Sequence, residues 1–131
     1  MDFETYLKRI VEHPVIVQNT KRYTNAITLS GLLLKKPKIY KNDKTGIESC
    51  AFLLYQVNNL PNKTEVEIFS CMTYNKDLIA QLKVADKVMF FACLGQLRYS
   101  KKIKSAYTQV ADIKTLFELD IELLENENEI H

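Results

Sequence analysis

Between residues 35 and 44 the sequence sets Lys35, Lys36, Lys38, Lys41 and Lys44 around a single ring, Tyr40. Ammonium groups this close repel one another, so a polyanion that neutralises them gains by releasing its own counterions. The ring offers a flat surface for an unpaired base, and charge interleaved with aromatic residues is the combination that single-stranded nucleic acid requires. A second cluster, Arg98, Tyr99, Lys101, Lys102 and Lys104 with Tyr107 after it, repeats the arrangement later in the chain. Tyr55 and Tyr74 are further candidate rings, and with no Trp the seven tyrosines must carry any stacking. The competing explanation is a solvated hairpin whose lysines guard an edge against strand pairing.

Bond-making chemistry has little support. No Ser or Cys has a basic partner marked by sequence, no glycine loop cradles phosphate, and no acidic cluster has metal-ligand spacing. The two histidines, His13 and His131, stand near the chain ends. Cys50, Cys71 and Cys93 fall one to an expected strand among apolar neighbours, as reduced core thiols do. The expectation is a binding protein that needs no enzyme activity, no cofactor and no metal.

The elements that would position the two clusters are strands. Ile27, Leu29, Gly31 and Leu33 recur at period two, which predicts a strand face turned to a core. Gly31 in mid-strand marks a bulge, a bend or a close backbone approach. Asn42-Asp43-Lys44-Thr45-Gly46 is a turn, and the return strand over 47–57 puts Tyr55 on one face with Leu53 and Ala51, opposite Phe52 and Leu54. A third strand is expected over 64–73, a short helix over 75–84 with Asn75 as its cap, a fourth strand over 87–99 and a fifth over 105–116. Val88 to Leu94 is apolar on both faces, so both must be covered, by another subunit or by an N-terminal helix.

That helix is read from Phe3, Tyr6, Leu7, Ile10 and Val11, spaced as an amphipathic stripe and stopped by Pro14. The stripe is expected to pack on the protein's own barrel, with docking on a neighbouring protomer through Phe3, Tyr6, Leu7 and Ile10 as the functional alternative. Residues 15–17 read as a short extended arm, either intramolecular or swapped.

Asn25, Leu29, Gly31, Leu33 and Pro37, then Phe52 and Leu54, resemble the first hairpin of bacterial single-stranded DNA-binding proteins, the SSB type of OB-fold. Thr64-Glu65, Gly95-Gln96-Leu97-Arg98 and Tyr107-Thr108-x-Val110 are similar to that family in the same order, over residues 24–117. The resemblance implies an all-β, five-stranded OB barrel with a short helix between strands three and four, to which this chain adds its N-terminal helix. It also implies single-stranded DNA as partner, with duplex DNA or RNA as further candidates, and action as a homo-oligomer in replication, recombination or transfer. The expected contacts are Lys36, Lys38, Tyr40, Lys41, Tyr55, Tyr74, Arg98, Tyr99, Lys101, Lys102 and Lys104. Two departures stand out: Val66 occupies the place where the family commonly has a stacking aromatic, and the family's glycine-rich linker and Ile-Pro-Phe tip are absent. A divergent plasmid, mobile-element or phage protein would show such departures. An OB-fold module that docks proteins is the alternative.

Composition agrees with this division. The 131 residues suit one domain, partitioned as helix and arm over 1–22, OB domain over 23–117 and acidic tail over 118–131. A net charge of +2 conceals +9 on residues 21–104 and −6 on 105–131, a basic body with an acidic end, as in polyanion binders. The absence of a signal-like start or a membrane-length apolar run makes cytoplasm the expected compartment.

Overall fold

The structure, a computed structural model, describes residues 1–19 and 24–125. Two helices come first, α1 (Phe3–Glu12) and α2 (Pro14–Asn19). Strands β1 (Ile27–Leu33), β2 (Lys38–Lys41), β3 (Glu48–Leu60) and β4 (Lys63–Thr73) follow, then α3 (Lys76–Lys83), β5 (Lys87–Ser100) and β6 (Ser105–Glu122). The strand order is β1-β5-β6-β4-β3-β2, with an additional pairing of β1 to β3 at Leu32 and Tyr55. The pairings therefore run from β1 through β5, β6, β4 and β3 back to β1, with β2 attached to β3 alone. All are antiparallel except β4 with β6, which meet in parallel over Cys71–Thr73 and Thr108–Val110.

Two glycines permit the tight crossings. A Cβ on Gly31 would lie 3.0 Å from the Tyr55 carbonyl oxygen, so Gly31 marks the close approach of β1 to β3. One on Gly95 would collide with the Gln109 carbonyl, where the β5–β6 ladder shifts register. Asn25 fastens the start of β1 to β5, donating to the Leu97 carbonyl and accepting from the Leu97 N–H, both at 2.8 Å. Leu33, Leu54, Phe91, Cys93 and Val110 fill the interior, and Leu78, Ile79 and Leu82 of α3 join the same core. The three cysteines are free and buried, and burial pushes the Cys50 and Cys71 thiols up to about 12.

The structure corrects the sequence reading of the fold at four places. There are six strands where five are expected, because the long first strand breaks between β1 and β2. Pro37 has no N–H to donate, and the backbone groups of Leu34 and Lys36 bond instead to Leu124. The partition at residue 118 falls inside β6, whose eighteen residues reach Glu122 and are followed by a buried Leu123. That segment alternates acidic and apolar residues, a period-two pattern that a strand can use. Residues 15–17 belong to a helix, since Pro14 ends α1 and then supplies the preset φ that suits a first helical position. Finally, α1 does not pack on its own barrel: none of its residues is buried. His131, noted above, lies outside the described residues.

Candidate nucleic-acid interface

The outer face of β2, β3 and β4 forms the floor of a groove of about 750 Å³. Register explains which side chains share it. Lys38 pairs with Ala51, Ala51 with Met72, and Met72 with Gln109, so one row crosses four strands. Partners in a ladder project from the same face. Leu53 and Ser70 form the next row. One wall is β2 with its approach, Lys35, Lys36, Lys38 and Tyr40; the other is the β5–β6 hairpin, Ser100, Lys102, Ile103 and Tyr107. Tyr74 stands at the end of β4 and also lines it. A second hollow of about 420 Å³, lined by Lys41, Asn42, Thr45 and Ile47, shares Tyr40, Ser49 and Tyr74 with the groove and extends it. Among the described residues, no Asp or Glu lines either space.

Local structure holds each of these residues in place. In the β2–β3 turn, Asn42 Oδ1 accepts from the N–H groups of Lys44 and Thr45, and Gly46 takes φ +73°. Tyr40 is thereby fixed near the tip, 54 % exposed. Tyr74 lies between a buried Thr73, which donates to the Val110 carbonyl at 2.9 Å, and Asn75, whose side chain caps α3 by accepting from Asp77 and Leu78 N–H. The Lys101–Lys104 turn is closed by Ser100 Oγ, which accepts from Ile103 N–H, and Lys104 has a positive φ of 52°. At the mouth, Lys36 Nζ is paired with Glu125 at 2.7 Å; both side chains are about half exposed, so the pair contributes roughly 0–1 kcal/mol.

Of the residues expected from sequence, Lys36, Lys38, Tyr40, Lys41, Tyr74 and Lys102 line this combined surface. Arg98 is the cross-strand partner of Tyr107 and so shares its face, with Nη2 donating to Gln96 Oε1. Tyr99 pairs with Ala106 on the opposite face of the hairpin. Lys101 and Lys104 stay in the turn outside the lining. Tyr55 is a correction: it is only 7 % exposed, because its cross-strand neighbours on the same face are Leu32 and Ile68. Tyr107, set beside the second cluster by the sequence, was left out of the expected contacts, and sequence reasoning missed the floor residues Met72 and Ser70. Strand parity with Ala51 and Leu53 was the available signal for the floor. Val66 is exposed on β4 as an aliphatic side chain.

No family model and no curated protein matches the chain. Solved structures do. The mitochondrial single-stranded DNA-binding protein Rim1 of S. cerevisiae aligns with a TM-score of 0.56 at 7 % identity, over 73 % of this chain and 96 % of that one. A small single-stranded DNA-binding protein of Mycoplasma pneumoniae aligns at 0.52 and 12 % identity, over 71 % and 94 %. The Plasmodium falciparum SSB, solved in complex with single-stranded DNA, aligns at 0.52 and 15 % identity, over 75 % and 96 %. This chain has the fold of the single-stranded DNA-binding proteins. At such identities the likeness lies in the path of the backbone, so what the SSB fold does in this chain depends on its own side chains. Among the described residues of this SSB-like fold, no group of three or more His, Cys, Asp and Glu is placed to hold a metal, and no helix is long and apolar enough to cross a membrane.

Proposed function

We propose that the protein binds single-stranded DNA in the groove between the β2 approach and the β5–β6 hairpin, without sequence preference and without catalysis. The ring of strand pairings is read as a five-stranded OB barrel in which β1 and β2 are two halves of the first strand. The observation that carries the reading is the convergence of Lys35, Lys36, Lys38 and Lys102 with Tyr40, Tyr74 and Tyr107 around one space that no carboxylate of the described residues lines. Lysines track the phosphates while tyrosines stack bases, each stacked base contributing about 1–3 kcal/mol. The solved proteins that share the fold, one of them with single-stranded DNA bound, support the same reading.

Titration with oligo-dT, followed by tyrosine fluorescence quenching and by mobility shift at two salt concentrations, tests it. Binding that weakens sharply with salt is expected; no binding at low salt would overturn it. A second reading, a protein-docking module whose lysines only solubilise it, is favoured by the exposed apolar face of α1. That reading forecasts no oligo-dT binding at any salt concentration.

A further inference from the structure

Helix α1 is ten residues long and buries none of them. Phe3, Tyr6, Leu7 and Val11 are 46–72 % exposed. Isolated helices shorter than about 12–15 residues are marginal in water, and helices in proteins owe most of their stability to packing of the apolar face. Asp2 caps the start, accepting from Thr5 N–H at 2.8 Å, but a cap does not replace that packing. A covering surface is required. The same chain leaves a second apolar face open. Leu32, Phe90 and Phe117 are cross-strand neighbours in one row over β1, β5 and β6, with the Phe90 and Phe117 rings stacked at 5.0 Å. Phe117 is 50 % exposed, and Ile121, four residues further along β6, is also exposed.

We propose that α1 of one copy docks on the β5–β6 face of a second copy, over Phe90, Phe117 and Ile121, and that the exchange is reciprocal. Area favours a second copy. With aromatic side chains burying about 150–250 Å² when fully covered, one half-exposed stripe on one such face removes on the order of 800 Å². A single contact of this kind falls short of a stable interface, whereas two related by a two-fold axis reach the roughly 1,600 Å² of a specific one. An anionic lipid surface fits poorly, since such helices are rich in Lys and Arg on the polar side, and α1 offsets its two basic residues with Glu4 and Glu12. None of the docking residues lines the groove, so this proposal and nucleic-acid binding fail separately.

Light scattering of the full chain, whose monomer is 15.2 kDa, tests the exchange over a range of concentrations. Wild type is expected at twice the monomer mass, and Leu7→Lys and Phe117→Lys each at the monomer mass with unchanged far-UV circular dichroism. Mixing the two variants restores dimer in part, because the mixed pair keeps one unaltered helix-on-sheet contact. A wild type that stays monomeric at every concentration would overturn the proposal. So would a Phe117→Lys protein that remains dimeric, which would mean that the helices pair with each other. Wild type found as a monomer that floats with phosphatidylglycerol vesicles, and no longer does so as Leu7→Lys, would overturn it in favour of a membrane surface.

Discussion

Tyr40 and Tyr74 face the groove with about half of their surface open, and neither contributes to the core. Replacing either by Ala is expected to weaken oligo-dT binding by about 1–3 kcal/mol, while the urea midpoint stays within the small range typical of surface changes. Tyr99→Ala, on the other face of the hairpin, should leave affinity nearly unchanged; equal losses at all three positions would contradict the groove assignment. Tyr55→Ala should do the reverse, costing about 3 kcal/mol of folding stability as buried aromatic truncations do. From sequence these rings looked alike, since parity gives a residue's face but not what its neighbours across the ladder cover. The thiols yield a pH prediction. Burial raises Cys50 and Cys71 to about 12, so above about pH 9 the unfolded chain releases protons that the folded chain retains. Stability should then fall as pH rises through that window, by about 1.4 kcal/mol per pH unit for each thiol. Urea midpoints of wild type and of a Cys50→Ala, Cys71→Ala variant, compared at pH 8 and pH 10, check it: the variant should show the shallower fall.

Whole elements were legible where a period persisted. The alternation of Ile27, Leu29, Gly31 and Leu33, the stripe of Leu78, Ile79 and Leu82, and Asn75 before it give β1, α3 and its cap as the structure has them. The break between β1 and β2 and the length of β6 were not legible, because both depend on a contact between segments far apart in sequence. Leu124 accepts from Lys36 N–H and donates to the Leu34 carbonyl, both at 2.9 Å, where a continuous strand would have paired. Acid-apolar alternation over 117–122 fits a strand as well as a solvated tail, and only the β5 ladder decides between them. Leu123, buried at the end of this element, makes the difference measurable. Leu123→Ala should cost about 2–5 kcal/mol, as buried leucine truncations do, and lower the melting temperature; a true solvated tail would show no change.

At the scale of the whole molecule the separation of charge matters most. The +9 body gathers lysines at one groove, and Asp112, Glu118, Asp120 and Glu122 of the acidic segment lie outside its lining. If the four groove lysines each meet a phosphate, the logarithm of the binding constant should fall with the logarithm of salt at a slope of about −3. Measurement between 50 and 300 mM NaCl, repeated with Lys38→Ala and Lys102→Ala, should lower that slope by about 0.7 per lysine. A slope near zero would mean that charge plays little part. The composition made this asymmetry plain, whereas the meeting of two distant hairpins needed the parallel β4–β6 contact that no local pattern announces. The Leu124 clasp also bears on how the protein is handled. Because Glu125 sits on Lys36 at the groove mouth, an affinity tag or fluorescent fusion joined directly to Glu125 would start at the entrance of the proposed nucleic-acid groove. A tag before Met1 would instead load the uncovered helix, so neither placement is neutral, and each would distort a different assay.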